Sequence, residues 1–562
     1  MDARRLPSLL ATSKQAQRLT ALAAALPLLV FSLAGCSENA KASRLFAQWD
    51  TARSPGCAVD VLQNDSPLFQ AAYGSADLKS RRPIGQRTAF ELASMSKQFT
   101  GAAVGKLILD GKLSLDDDVR KYIAELPDYG RPVLLRDLIY HTSGLRDYIS
   151  LTEDLSDYMI HGGRRGESEM LALLARQKAL NFQPGTQFSY NNSNYFLLSI
   201  VVKRATETSL GKFVEERLFN PLGMTNTFFR GYPPANPPER AIPYEPSEAH
   251  GFIEAQQSQE AAGDETVGDG GVVTTLSDLA IWDREFYRSS LGGAPLRDLL
   301  VTPGKLRDGT PLTYAFGLYV EDSPAGPKIY HGGNAGGFRT RFVRYPNRHL
   351  SIFCLCNVSD VPTGQLVEGL TAIYLGPGRR STPRTPSVEE LRRVEGFYRD
   401  PSTMGIWSFK RVGARLVGNL LGIPGERAFV GIAAQDFATE DGSFNARFDA
   451  TGNVVEIREY GRPKTTFVRT ALSRPSNLAD YAGRYFSDEI DASYEFAVVG
   501  SQLAVLSPKA AASKLTPTVA DSFTGFGNYF SFERDSGAVA RLILGENTGR
   551  VRNLELKKEP GK

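Results

Sequence analysis

The sequence predicts an α/β (α+β) domain with an antiparallel sheet and a helical subdomain, followed by two small all-β barrels. Three observations carry this. The chain has 562 residues, too many for one hydrophobic core, so several domains are required. Strand-like stretches near residues 55–74 and 327–357 bracket a long run of helical periodicity. The last third repeats itself at a constant offset of 87 residues.

Arg4, Arg5, Lys14 and Arg18 precede an apolar run, Leu19 to Gly35, that carries Pro27 and is short for a spanning helix. It ends in Leu33-Ala34-Gly35-Cys36, which resembles the bacterial lipobox, where cleavage before the cysteine leaves it lipid-modified. We therefore expect a lipoprotein signal over 1–35, lipidation at Cys36, and a polar tether over 36–44. Ser37 is unlike the aspartate of an inner-membrane retention signal, which favours the outer membrane and an anchored protein on the periplasmic face.

Next, "PGCAVDVLQNDSPLFQAAYG" reads as a strand pair turning at Asn64-Asp65. Met95, Phe99, Ala102, Ala103 and Leu107 fall on one stripe of a helix over 95–110, with Gly111 suited to its C-terminal cap. Further helical stretches cover 165–178 and 193–218, and strands return at 327–357. The α/β domain so defined spans 45–375. The stretch "GPGRRSTPRTPS", 376–387, reads as a linker. Beyond it Gly396-Phe397-Tyr398 matches Gly483-Arg484-Tyr485 and Gly413 to Leu416 matches Gly500 to Leu503 at that offset, and Asp449 to Gly452 answers Asp535 to Gly537 within a few residues of it. Short alternating runs broken by Gly, Asp and Asn predict a small barrel in each unit, 388–472 and 475–560. Neither unit holds a nucleophile–base set, so both read as accessory.

The composition is globular, 42% hydrophobic and 23% charged. The net charge of +3 is accounted for by the first 35 residues, which leaves no electrostatic case for a nucleic-acid partner. Cys354 and Cys356 sit two apart on a predicted strand, a poor geometry for a mutual disulfide, and Cys57 reads as a small core residue, so no structural disulfide is expected. The five histidines show no metal-ligand spacing. No metal or cofactor is expected.

Catalytic chemistry centres on "FELASMSKQFT". Ser94 and Lys97 lie at i and i+3, which puts hydroxyl and amine one helical turn apart on one face. Ser94 would open the helix, where the backbone N–H is free and the dipole favours developing negative charge. A serine hydroxyl needs such a base and an anion hole to act as a nucleophile. The same short pattern recurs at Ser209 and Lys212, but "TETSLGKFVEE" makes that an ordinary polar helix start. Two further motifs supply walls for a cleft: Tyr190-x-Asn192 and His331-x-Gly333. Both have second occurrences, Tyr345-x-Asn347 and His161-x-Gly163. Only the set opening at 94, 190 and 331 puts each motif in an interpretable place. GxSxG is absent, which argues against an α/β-hydrolase.

With these motifs in this order, the chain resembles the serine β-lactamase-related hydrolases: class C β-lactamases, D-Ala-D-Ala carboxypeptidases, D-aminopeptidases and related esterases. The resemblance covers roughly 45–375 and includes "DGKLSLDDDVRKYI", "LLRDLIYHTSGL", "FNPLGMTNTFF" and "GDGGVVTTLSDLAIW". The tail repeats look like the lipocalin-like barrels of some D-aminopeptidase-type members. The resemblance implies a β-lactamase/transpeptidase-like fold and an acyl-enzyme on Ser94. It implies Lys97 and Tyr190 as the proton-handling pair, without deciding which is the base, and Asn192 on the substrate amide. The anion hole would be the backbone N–H groups of Ser94 and Asn334. The departure is His331, where β-lactamases and carboxypeptidases usually carry lysine. Loss of that fixed cation weakens the case for penicillins and free carboxylates. The expected function is exported hydrolysis of an ester or a D-amino-acid-containing amide. A β-lactamase or D,D-carboxypeptidase is the nearest alternative, and a non-catalytic wall-binding lipoprotein the alternative of another class. Nothing in the sequence bears on oligomeric state.

Overall fold

The computed structural model describes residues 38–154, 166–255, 266–376, 383–440, 442–459, 464–473, 475, 477–507 and 510–560. The expected signal, Cys36, His161-x-Gly163 and residues 377–382 of the expected linker lie outside the described residues.

A six-stranded antiparallel sheet forms the backbone of the first domain. Its strands are β1 (Cys57–Gln63), β2 (Ser66–Tyr73), β3 (Tyr319–Glu321), β4 (Lys328–Ala335), β5 (Phe338–Tyr345) and β6 (Leu350–Cys356), in spatial order β3-β4-β5-β6-β1-β2. The first hairpin turns at Asn64 and Asp65, both with positive φ (50° and 63°), the conformation that suits the twist of paired strands. The sheet therefore joins the start of the domain to its end, and the helical subdomain is inserted between. Helix α1 (Lys97–Leu109) follows a 3-10 turn over Ala93–Ser96 and is buried on nearly every side. A helix covered on so many sides sits between layers rather than on the surface. Gly111 follows it at φ +69°, with Lys112 N–H returning to Leu107 O. The subdomain contributes α2 (Asn192–Thr206), equally buried at its start.

The expectation of no disulfide is overturned. Cys57 and Cys356 are bonded. The reason is register: β1 and β6 are neighbours and these two residues face each other directly across the ladder. Spacing along one strand bears only on Cys354 and Cys356, and the true partner of Cys356 lies 299 residues away. Cys354 stays a thiol, buried, with its Sγ 3.6 Å from Cys356 Sγ. Cys57, Cys354 and Cys356 are the one cluster of metal-ligand type among the described residues, and the disulfide takes two of its thiols.

Residues 38–44, expected as a tether, are helical. Ala42 and Phe46, four apart, are fully buried, so one stripe of this polar-looking segment is apolar. Tyr374, on the helix Thr363–Leu375, donates its hydroxyl to Asn39 Oδ1 at 2.8 Å.

Eight strands between Gly396 and Thr470 close into a barrel around Tyr398, Trp407, Phe409, Phe429, Phe437 and Phe448. A nine-stranded sheet between Gly483 and Lys558 makes a nearly closed second barrel. The repeat is structural as well as sequential. Tyr398 and Tyr485 are both fully buried and donate to the carbonyl four residues back, Val394 and Tyr481. Arg469 and Lys558 lie over those two rings from the last strands. Apolar residues of the second barrel belong to the same continuous core as the first domain. The two are joined by a buried ion pair, Arg146 to Glu489 at 2.7 Å, with side chains 1% and 5% exposed.

Candidate active site

The turn that carries Ser94 is held by three hydrogen bonds. Leu92 N–H donates to Val272 O at 2.8 Å, Ser96 Oγ accepts from Val272 N–H at 3.0 Å, and Thr340 Oγ1 on β5 donates to Leu92 O at 2.8 Å. Ala93 is forced to φ +50°, a left-handed conformation that costs a non-glycine residue energy and persists only where its surroundings dictate it. Ser94 is half-buried while Ala93, Met95 and Ser96 are buried, so the strained turn presents one hydroxyl to the cleft. On the other wall β4 comes so close that a Cβ on Gly333 would lie 2.1 Å from Leu92 O and 2.4 Å from Thr340 Oγ1. Only glycine fits there, and the exposed Asn334 follows it.

Lys97 is fully buried, and its Nζ donates to Ser94 Oγ (3.2 Å), Asn192 Oδ1 (2.9 Å) and Asp269 O (2.6 Å). Burial brings its pKa down to about 8, against the opposing pull of Asp269 and Asp147 and with the help of Arg550. Asn192 is fixed in turn by Asp147, whose Oδ2 accepts from its backbone N–H (2.6 Å) and its Nδ2 (2.9 Å). Tyr148 donates its hydroxyl to Asp269 Oδ2 at 3.0 Å. Burial raises the Tyr190 phenol above its ordinary range, with the Ser94 hydroxyl and Arg550 working against it. Its ring centroid is 4.9 Å from Lys97 Nζ.

Two buried imidazoles back this arrangement. His141 Nδ1 accepts from Asn191 N–H at 3.2 Å, so its proton sits on Nε2. Burial holds its pKa well below normal, and its ring packs 4.5 Å from Tyr190 and 4.6 Å from Tyr314. His331 donates from Nδ1 to Gly332 O at 2.6 Å. Its Nε2 therefore accepts from the Tyr314 hydroxyl at 3.2 Å. Burial lowers its pKa to about 3, so His331 is neutral and brings no cation to the cleft.

The fold thus gathers Ser94, Lys97, Tyr190, Asn192, His331 and Gly333 around one cleft. Ser209 instead caps a helix, accepting from Lys212 N–H at 3.3 Å, and the Tyr345 hydroxyl goes to Thr371 at 3.4 Å. Sequence reading missed His141, Asp147, Asp269 and Tyr314. His141 and Asp269 lie in "YHTSGL" and "GDGG", which carry no chemical pattern of their own.

The Beta-lactamase family pattern matches residues 42–372. A D-aminopeptidase of Gluconobacter oxydans is 28% identical over 450 residues, which covers 78% of this chain and 80% of that protein. A D-aminopeptidase of Brucella ovis is 28% identical over 454 residues, with the same coverage. The octameric penicillin-binding protein homologue from Pyrococcus abyssi superposes with a TM-score of 0.52 at 20% identity, over 74% of this chain and 96% of its own. At that identity the likeness is one of fold.

Proposed function

Because the chain belongs to the β-lactamase family, we propose that it is an exported serine hydrolase that forms an acyl-enzyme on Ser94 with an ester or a D-amino-acid-containing amide. One observation carries the reading: a fully buried lysine with a pKa of about 8 sits 3.2 Å from the Ser94 hydroxyl. As an ammonium, Lys97 has three donors and three acceptors for them. As a neutral amine it keeps two donors for Asn192 and Asp269 and turns a lone pair to Ser94. The serine proton then moves to Nζ as Oγ attacks the carbonyl carbon. Lys97 is the base in this scheme, because its pKa is lowered toward neutrality while that of Tyr190 is raised. Tyr190, protonated, hands its proton to the leaving group and is re-protonated from Lys97. In deacylation the same pair activates water. The Ser94 and Asn334 N–H groups stabilise the oxyanion, and Asn192 orients the substrate amide.

Export is supported by the basic and apolar N-terminus with its Cys36 box, and by the Cys57–Cys356 disulfide, since such bonds persist in oxidising compartments. The test is intact-mass detection of acyl adducts against a panel of esters, D-aminoacyl amides and β-lactams. We expect an adduct on Ser94, and a loss of turnover of about 10³-fold or more in Ser94→Ala. Undiminished turnover in that variant sinks the mechanism.

A further inference from the structure

The helices Leu276–Arg288 and Gly293–Leu300 pack against α1 and leave a cavity of about 530 Å³, counting its open mouth. Gly105 on α1 makes room for the second helix, since a Cβ there would lie 3.1 Å from Leu296 and 3.4 Å from Leu300. The wall is mostly apolar, built from Trp282, Phe286, Leu296, Leu300 and Leu318. None of these belongs to the cleft around Ser94. An apolar cavity of this size with a few polar groups suits a small molecule.

The charges in the wall are already matched. Arg344 Nε donates to Asp283 Oδ1 at 2.8 Å, and its guanidinium carbon lies 4.2 Å from the Phe286 ring centroid. Arg297 Nε donates to Asp298 Oδ1 at 2.8 Å. Glu285 accepts from Leu291 N–H at 2.8 Å and from the Ser290 hydroxyl. Ser289 also lines the cavity, and its Oγ is shut off from solvent with no hydrogen-bond partner among the described residues. An unpaired buried hydroxyl costs stability that a ligand oxygen can recover. The cavity therefore suits an occupant with an apolar body, one oxygen and no charge, because a charge would be buried without a partner.

The floor of the cavity is hydrogen-bonded to the catalytic turn. Trp282 Nε1 donates to Gln98 Oε1 at 2.7 Å, and Gln98 Nε2 donates to Met95 O at 3.0 Å. Met95 directly follows Ser94. Gln98 is buried, and the half-buried Trp282 packs with its ring centroid 4.8 Å from that of Phe99. Gly317, next to Leu318, presses on the same segment, since a Cβ there would lie 2.4 Å from Lys97 O.

We propose that this cavity is an effector site for an uncharged single-chain amphiphile, an alkyl chain ending in a hydroxyl or ester oxygen, whose binding steadies the Ser94 turn. The chain fills the space between the two helices, and its oxygen accepts from the Ser289 hydroxyl. The occupant adds apolar contacts to the Trp282 indole, so Gln98 and the Met95 carbonyl are held more firmly. The ligand favours the state in which those contacts are made, and it shifts the turn toward that state by the same amount. The inference stands whether or not Ser94 forms an acyl-enzyme.

The test uses the full chain with 1-hexanol, 1-octanol and octanoate as probes, followed by calorimetry. We expect one 1-octanol per protein, binding to tighten about three- to fourfold per methylene from 1-hexanol to 1-octanol, and octanoate to bind at least about tenfold more weakly than 1-octanol. Leu291→Trp, which fills the mouth from the link between the helices, should abolish binding. Ser289→Ala, the milder variant, should weaken 1-octanol about 3- to 10-fold and keeps the site testable if Leu291→Trp does not fold. Hydrogen exchange reads the coupling. 1-Octanol should slow amide exchange across 92–98 by about threefold or more without slowing the strand Ile406–Val412 of the first barrel. Gln98→Leu should still bind 1-octanol and lose that slowing. Absence of saturable 1-octanol binding, or undiminished binding in folded Leu291→Trp, overturns the site. Undiminished binding in Ser289→Ala overturns the hydroxyl contact, and octanoate binding as tightly as 1-octanol overturns the uncharged class. Binding with unchanged exchange, or slowing that survives in Gln98→Leu, overturns the effector role.

Discussion

Below pH 8 the Lys97 ammonium commits its donors to Ser94, Asn192 and Asp269, and no lone pair remains to take a proton. The working form is the neutral amine, whose fraction grows as pH rises through about 8. We expect kcat/KM to climb about tenfold per pH unit on the acid side and to level off above an apparent pKa near 8. His331 adds no limb there, being neutral down to about pH 3. A profile already flat at pH 6 would remove Lys97 as the base. At this scale the motif residues were legible because spacing encodes them: Ser94 and Lys97 share a helix face, and Tyr190 and Asn192 flank a helix start. Their supports were not. Asp147 and Asp269 act on Lys97 and Asn192 from segments far apart in the chain, and no local pattern distinguishes a supporting carboxylate from a solvated one.

Strand β4 and the turn before α1 meet at Gly333, where any side chain collides with Leu92 O and Thr340 Oγ1. Gly333→Ala must therefore push β4 away from Ser94, and the anion hole widens with it. We expect kcat/KM to fall by about 100-fold or more, with a measurable drop in Tm from overpacking. Native activity at native Tm would show that the two elements move independently. The other element-scale test concerns β1 and β6. Alkylation of denatured, unreduced protein should label Cys354 but neither Cys57 nor Cys356, and Cys57→Ser should lower stability by about 2–4 kcal/mol. Labelling of all three would mean the strands are held by packing alone. The hairpin at Asn64-Asp65, the helix ahead of Gly111 and the barrel repeats were legible because turn chemistry and periodicity are local. The disulfide was not, since its register is set by strand order across the whole domain.

Across the molecule, the barrels are more than appendages. Their Gly396 and Gly483 starts announced the repeat, yet nothing local announced that the second barrel brings Arg550 to 5.9 Å from the Tyr190 ring centroid, because Arg146–Glu489 and Asn181–Arg552 join residues hundreds of positions apart. The N-terminus raises a question of the same size. If Cys36 carries lipid, Cys36→Ser should give either soluble protein or an uncleaved precursor, and an unmodified mature N-terminus away from Cys36 would dismiss the anchor. Residues 38–44 are a docked helix rather than a leash. At most about 3.5 Å of chain per residue separates such an anchor from the enzyme's solid body. An enzyme tied that short would not sweep the compartment. It would patrol a layer a single molecule deep, and its encounters would be set by how much substrate lies per unit area of membrane.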